Sequence, residues 1–238
     1  MQLFYAPGLM GDHHQLDTQE SRHLIKVLRY RLGDQVSLTD GQGNIYSAII
    51  DDANPNRCRL KIEGVESNYQ PLPYHLAIAI APTKNIDRIE WFLEKATEIG
   101  VSEIFFFTSD NSERHTLKLD RLQKVLIAAM KQSLSAFLPK LHHGLQFREL
   151  ADELRNYRNY LAHCGSGEKS TLWQAIDSTE KTCIWIGPEG DFSPEEIRWS
   201  QEAGFVPISL GNRRLRTETA AVFAVSSIAL LQQKKQHE

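Results

Sequence analysis

The sequence is short of cysteine: Cys58, Cys164 and Cys183 are its only three, far apart and without a C-x-x-C spacing. That excludes a disulfide framework and a structural zinc site. Surplus positive charge is also absent, since 27 Lys and Arg stand against 30 Asp and Glu for a formal net charge of −3. Bulk electrostatics therefore cannot hold the chain to nucleic acid or an acidic membrane, and any such partner must be met by a local patch. The opening MQLFYAPGLMGDHH has no basic stretch followed by an apolar run, and the uncharged apolar stretch Thr219 to Leu231 falls short of the ~18 residues of a membrane span. The cytoplasm is the expected compartment, with no membrane partner. Missing too are a G-x-x-x-x-G-K-[ST] phosphate loop and the early G-x-G-x-x-G turn of a nicotinamide-dependent oxidoreductase. The doublets His13-His14 and His142-His143 have no metal-type partners in the sequence, so no metal is expected.

What is present is an ordinary globular composition, 41% hydrophobic and 24% charged, over 238 residues. Up to residue 70 short β-like runs alternate with turns: QLFYA, QVSLTD, NIYSAII and RCRLKIEGV. DGQGN at 40–44 suits a hairpin connection, because Gly41 and Gly43 can take positive φ. One helix, QESRHLIKVLRY, interrupts them. Its Leu24, Val27 and Leu28 make an apolar stripe, and Arg22, Lys26 and Arg29 fall at i, i+4, i+7 on another face, with His23 and Tyr30 nearby. That basic face is either a solvated surface or a directional RNA contact. NYQPLPYH marks a domain boundary, giving 1–70 and 71–238.

Beyond it, apolar strands (HLAIAIA, EIFFFTS, NYLAHC, TCIWIG, VPISLG) alternate with helical stretches at 86–99, 120–137, 194–203 and 217–233. This pattern predicts an α/β domain with a mostly parallel sheet covered on both faces and ligands at the carboxyl ends of its strands. The last helix is apolar nearly all round, so it should be buried against the sheet or a second subunit.

IGPEGDFSPEEI, residues 186–197, joins a glycine bend to a closely specified helix start. Ser193 and Glu196 form a capping box, Pro194 takes the first helical position, and Phe192 and Ile197 are spaced as a hydrophobic staple. The loop cannot be a phosphate cradle, since Glu189, Asp191, Glu195 and Glu196 would repel a polyphosphate. A ligand with a ribose, a base and a positive centre fits these acids better. CGSGEKST at 164–171 reads as a plain turn. LGNRRLRTETAAV at 210–222 again links a strand to a helix, so it should share one sheet edge with the first loop.

GPEGDFSPEE together with LGNRRLRTETA resembles the RsmE family, the uridine N3-methyltransferases of 16S (small-subunit) ribosomal RNA in the SPOUT superfamily. The likeness runs through nearly the whole chain in order. RHLIKVLRYRLGD and DGQG resemble the family's N-terminal motifs, KNIDRIEWFLEKATEIGV its K..R.E...EK.TELGV helix, and KQSLSAFLP its QS...P segment. Three departures stand out. Asp191 replaces the usual glycine, Arg214 replaces an apolar residue, and QSLSAF lacks the arginine common after the QS pair.

The resemblance implies a PUA-like β-rich RNA-binding domain over 1–70 and a SPOUT domain with a deep trefoil knot over 71–238. It implies a homodimer acting on small-subunit ribosomal RNA, free or in the assembled small ribosomal subunit, with S-adenosylmethionine bound among three loops beside the subunit interface. Here those loops are the LAHC end (Leu161, Ala162, His163), the IGPEG turn (Ile186, Gly187, Pro188, Glu189, Gly190) and SLGNRRLR (Ser209, Leu210, Gly211, Asn212, Leu215, Arg216). The imide N3 of uracil attacks only once its proton leaves, and the charge spreads onto O2 and O4. Arg216 is expected to stabilise that charge, with Glu218 or a water taking the proton, although Glu218 could equally be an arginine's structural partner. The RNA contact is expected at Arg22, His23, Lys26 and Arg29. The rival to an enzyme is a non-catalytic RNA-binding protein that keeps the fold, against which both intact cofactor-loop motifs speak.

Overall fold

Alternating apolar and polar residues in the first third of the chain build a five-stranded sheet in the computed structural model, which describes residues 2–176 and 181–236. Two units emerge, Met1–Pro71 with Ile127–Leu138, and Leu72–Leu126 with Pro139–Glu238.

In the first unit, β1 (Leu3–Tyr5), β2 (His13–Gln15), β3 (Gln35–Thr39), β4 (Ile45–Asp52) and β5 (Arg59–Glu66) lie in the order β1-β3-β4-β5-β2. Only the β1–β3 pair is parallel. Phe4, Leu16, Leu24, Leu38, Ile50 and Leu60 fill its core. DGQGN connects β3 to β4 with Gly41 at φ 76° and Gly43 at φ 98°. Asp40 fixes the turn by accepting the Gln42 N–H at 2.7 Å. A Cβ at Gly43 would sit 2.6 Å from the Phe137 ring, so glycine is required there for space as well as for φ.

The helix read from QESRHLIKVLRY departs from expectation. Asp17 caps α1 (Thr18–Arg22) by accepting the Glu20 N–H at 2.8 Å, but the chain then widens into a π-helical turn, His23–Val27. The Leu28 N–H bonds the His23 carbonyl five residues back. The extra residue per turn breaks the apolar stripe: Leu24 stays buried, whereas Val27 is 65% exposed. Arg29 lies past the helix at φ 62°, so Arg22, Lys26 and Arg29 do not form one helical face.

The second unit strings together β6 (Leu76–Ile80), α2 (Ile86–Ile99), β7 (Glu103–Thr108), the start of α3 (Leu119–Gln132, of which residues from Ile127 on belong to the first unit), β8 (Lys140–Gln146), α4 (Phe147–Glu153) and β9 (Arg158–Ala162). There follow β10 (Ser170–Thr171), α5 (Leu172–Ala175), β11 (Thr182–Ile186), α6 (Pro194–Glu202), β12 (Val206–Ser209) and α7 (Thr217–Gln236). Its seven strands run in the order β10-β12-β9-β11-β6-β7-β8 and every pairing is parallel. LAIAI and TCIWI are buried along their whole length, as central parallel strands must be. The alanines of β6 leave room for an aromatic cluster of Phe107, Phe147, Trp185, Phe192 and Phe205. Within it the Trp185 indole N–H donates to Asn159 Oδ1 at 2.9 Å, satisfying a buried donor.

The helix expected over 120–137 stops at Gln132. Its continuation instead pairs with the DGQGN turn: the Gly43 N–H donates to the Ala136 carbonyl and the Leu138 N–H to the Gly41 carbonyl, both at 2.9 Å. From β12 the chain returns past β9 and β11 to lay α7 on α2 and β6. The sheet side of α7 is buried, whereas its Phe223 and Leu230 are exposed. Among the described residues no helix is long and apolar enough to cross a membrane.

Candidate active site

Strands β12, β9 and β11 are neighbours, and the sheet being parallel, the loops after all three gather at one edge. A cavity of about 390 Å³ opens there, within the size range of small-molecule sites. Ala162, His163 and Cys164 form one wall at the end of β9, and Lys169 lies in the segment that follows. Ile208 and the run Ser209 to Leu215 form the other wall, with Ala220 of α7 behind it.

The expected residues Ala162, His163, Ser209, Leu210, Gly211, Asn212 and Leu215 thus come together around one space. Leu161 and Ile186 are instead buried inside β9 and β11, Gly187 and Pro188 are buried just beyond β11, and Glu189, Gly190 and Arg216 are exposed outside the cavity lining. Lys169 was missed because CGSGEKST reads locally as a turn. Its Nζ does close that turn, donating to the Gly165 carbonyl, and at the same time it lines the cavity. Arg213 and Arg214 line it too, and neither guanidinium has a hydrogen-bond or ion-pair partner among the described residues.

The IGPEGDFSPEEI segment is rigid for the reason its sequence suggests. Ser193 Oγ accepts the Glu196 N–H at 3.1 Å and Glu196 Oε2 accepts the Ser193 N–H at 2.8 Å, a complete capping box. Phe192 and Ile197 pack on the same aromatic core. Its acids, however, have partners within the protein, and none of them lines this cavity. Glu189 accepts the Lys84 N–H at 3.0 Å, Asp191 accepts the Cys164 N–H at 2.8 Å, and Glu195 pairs with Arg148 at 2.6 Å. Glu196, buried, also takes the Ser109 hydroxyl at 2.9 Å and the Asp110 N–H at 3.1 Å. Among the described residues no carboxylate lines the cavity, and the charged side chains that do are Lys169, Arg213 and Arg214.

His163 is 8% exposed, with neither ring nitrogen hydrogen-bonded among the described residues. Burial lowers its pKa, Lys169 lowers it further, and Asp191 opposes the shift, so the imidazole is neutral at pH 7. Glycine at 165 accommodates the ring, since a Cβ there would lie 3.0 Å from Nδ1.

Arg216 immediately precedes α7, exposed, and its guanidinium has no partner among the described residues. Glu218 sits in the first turn of α7, 7% exposed. Its Oε1 lies 3.7 Å from Arg88 Nε, and its Oε2 is buried without a hydrogen-bond partner among the described residues. Thr217 donates to the Gly187 carbonyl at 3.2 Å, tying the start of α7 to the IGPEG loop. In the first unit, Arg22 donates to Asn56 Oδ1 at 3.3 Å, His23 is half-buried with its ring tilted against Phe4, and Lys26 and Arg29 are exposed. Among the described residues no group of three His, Cys, Asp or Glu could hold a metal ion.

Comparison with known proteins matches both units. A family model described as an RNA methyltransferase domain covers residues 70–229, and one described as an RNA methyltransferase PUA domain covers 16–63. The Ribosomal RNA small subunit methyltransferase E of Mesomycoplasma hyopneumoniae is 32% identical over 179 residues, spanning 73% of this chain and 76% of that protein. The crystal structure of a probable rRNA-methyltransferase from Porphyromonas gingivalis superposes with a TM-score of 0.94 at 39% identity, covering 99% of this chain and 100% of that one. A Ribosomal RNA small subunit methyltransferase E from Neisseria gonorrhoeae, crystallised with S-adenosyl methionine bound, gives a TM-score of 0.87 at 26% identity over 97% of this chain and 98% of that one.

Proposed function

We propose a function from one premise: the chain belongs to the RsmE family of small-subunit ribosomal RNA methyltransferases, with a PUA domain and a SPOUT-like catalytic domain. It is an RNA methyltransferase that uses S-adenosylmethionine. The finer activity we assign is transfer of a methyl group to N3 of one uridine in 16S ribosomal RNA, giving 3-methyluridine. The observation that carries it is the cavity of about 390 Å³ walled by SLGNRRL (Ser209 to Leu215), whose Cys164 wall is bonded to Asp191 just after the IGPEG loop, so that both family motifs meet at one sheet edge.

The residues present suit the cofactor. The cavity offers a neutral imidazole with two unsatisfied nitrogens, a glycine-bearing loop that brings backbone close, and unpaired cations. Bound S-adenosylmethionine supplies a methyl carbon already activated by its sulfonium. The protein then has to orient an in-line attack and make the nucleophile available. The Arg216 guanidinium, without a partner among the described residues, is proposed to stabilise charge on uracil O2 or O4 as N3 loses its proton. Glu218 Oε2 is the candidate proton acceptor, with Arg88 Nε 3.7 Å from Oε1. Because N3 lies on the pairing edge, the target base must be unpaired or flipped out.

In this proposal residues 1–70 hold the RNA backbone through Arg22, His23, Lys26 and Arg29, and 71–238 carry the chemistry. A homodimer is part of the same proposal, supported by Trp91, Phe223 and Leu230, exposed on the mutually packed helices α2 and α7.

Mass spectrometry of 16S ribosomal RNA from cells with and without this gene tests the activity. Loss of a single 3-methyluridine supports it, and an unchanged modification pattern refutes it. In vitro, Arg216→Ala should abolish turnover with cofactor affinity nearly intact. Glu218→Gln should do the same if Glu218 takes the proton, whereas unchanged turnover would leave it as the structural partner of Arg88.

A further inference from the structure

We propose that Lys169, Arg213 and Arg214 form a subsite for the α-carboxylate of the methyl donor, so that the cavity recognises the anionic tail of its ligand and not its sulfonium. The proposal rests on S-adenosylmethionine being the occupant. It begins from the charge inventory of the site. Every acid of the IGPEGDFSPEEI loop is engaged elsewhere: Glu189 on Lys84, Asp191 on Cys164, Glu195 on Arg148 and Glu196 on Ser109, Asp110 and Ser193. None lines the cavity, so among the described residues no carboxylate is there to attract the sulfonium.

What the walls do carry is three cations brought from two different loops. Lys169 comes from the segment after β9, and Arg213 and Arg214 from the loop after β12. Like charges held around one space repel, and the arrangement is favourable only when an anion enters. The two guanidiniums have no partner among the described residues, and a carboxylate is the group their forked donors match. Lys169 Nζ bonds one carbonyl oxygen, that of Gly165, which leaves further N–H donors on the ammonium. The neutral His163 in the same wall adds no competing charge. S-adenosylmethionine carries one carboxylate and no phosphate, so its amino-acid tail is the part this wall selects. An RNA phosphate is the competing occupant. The cations line a concave cavity at the strand ends alongside Ala162, Ile208 and Ala220, and an apolar-floored space favours a small ligand over a backbone.

A direct consequence is that S-adenosylhomocysteine, which keeps the carboxylate and loses the positive sulfur, binds at least as tightly as S-adenosylmethionine. The methylated product's by-product would then restrain the enzyme until it is removed.

The test is calorimetry on the full chain with S-adenosylmethionine, S-adenosylhomocysteine and decarboxylated S-adenosylmethionine. The decarboxylated donor should bind roughly 10- to 100-fold more weakly than the intact one, the range expected for charge-assisted bonds. Arg214→Leu, Arg213→Gln and Lys169→Gln should each narrow that ratio by weakening the carboxylate-bearing ligands alone. Affinity for the decarboxylated donor then serves as the internal check that each variant is folded. For the unaltered protein, added salt should weaken S-adenosylhomocysteine binding more than that of the decarboxylated donor, a measurement that needs no variant. Equal affinity for all three ligands overturns the subsite and leaves the methyltransferase function standing. So does a set of variants that lose RNA binding but keep the ratio, which would assign the cations to RNA phosphates. Failure of the unaltered protein to bind any of the three would instead remove the proposed cofactor itself.

Discussion

Asp191 holds a left-handed backbone, φ 63°, while its Oδ2 accepts the Cys164 N–H at 2.8 Å, so one strained residue after β11 fixes the cavity wall at the end of β9. The family pattern has glycine here, which relieves the backbone but makes no such bond. Aspartate tolerates the left-handed region better than most residues because its short side chain can bond locally. Asp191→Asn should therefore stay within about 0.5 kcal/mol of the parent, keeping both properties. Asp191→Ala loses the bond and keeps the strain, and should cost about 2 kcal/mol. Asp191→Gly should melt near the parent temperature yet bind cofactor several-fold more weakly, because Cys164 is no longer held. Denaturant melts with calorimetry separate the three. An alanine variant as stable as the asparagine one would sink the account.

Cys164 is a built-in reporter of the cavity. It is exposed and lines the space, whereas Cys58 and Cys183 are buried. Burial, with help from Asp52, pushes the Cys58 thiol up to about 11, and burial raises Cys183 as well, so neither is reactive near neutrality. Iodoacetamide at pH 7.5 should modify Cys164 first. S-adenosylhomocysteine at ten times its Kd should slow the reaction about tenfold, as mass action requires. Peptide mass spectrometry reads both outcomes, and an unprotected Cys164 in a protein that demonstrably binds the ligand would place the cofactor elsewhere.

At the opposite end of the sheet, Glu103 accepts from Tyr157 at 2.7 Å, His75 at 2.8 Å and His142 at 2.9 Å, tying the starts of β6, β7, β8 and β9. Burial alone would raise the Glu103 pKa, but the three hydrogen bonds overcome it and hold the carboxyl below its ordinary 4.5. A depressed carboxyl pKa stabilises fully above the unfolded value and is lost as pH falls through the folded one. Glu103→Gln should thus cost about 2 kcal/mol at pH 7, with the difference shrinking once pH drops below 4.5 towards the lower native value. Urea melts from pH 3.5 to 7 give the comparison, and a gap independent of pH would contradict it.

The same contrast explains what could be read from the sequence. Ser193 with Glu196, the buried LAIAI and TCIWI strands and the Gly41/Gly43 turn are decided within a few residues of chain, and each formed as its pattern indicates. β8 is KLHHGLQ, an edge strand with no apolar run, and it forms because Glu103 and Phe105 on β7 engage His142. The end of α3 yields to pairing with a turn nearly a hundred residues earlier. Loops at the site were legible because they follow strands, but the direction of their acids was not. Glu189 and Asp191 find backbone N–H groups at Lys84 and Cys164, partners that no local window contains.

The π-helical turn after α1 makes the RNA contact separable residue by residue. A regular helix would place Arg22, Lys26 and Arg29 on one stripe. Here Lys26 is in the wide turn and Arg29 lies beyond it in the left-handed region. Arg29→Asn removes the cation while suiting φ 62°, so it should leave stability unchanged or slightly raised. Arg29→Ala removes the same cation and keeps the backbone cost. If the residue contacts a phosphate, both should weaken binding of a small-subunit ribosomal RNA fragment equally and lower the salt slope by about one. Lys26→Glu should lower the slope on its own, since it acts from a different turn. Anisotropy titrations at several salt concentrations measure the slopes and thermal melts the stabilities. Equal stability of the two Arg29 variants would remove the strain argument, and unchanged slopes throughout would return the whole segment to solvent.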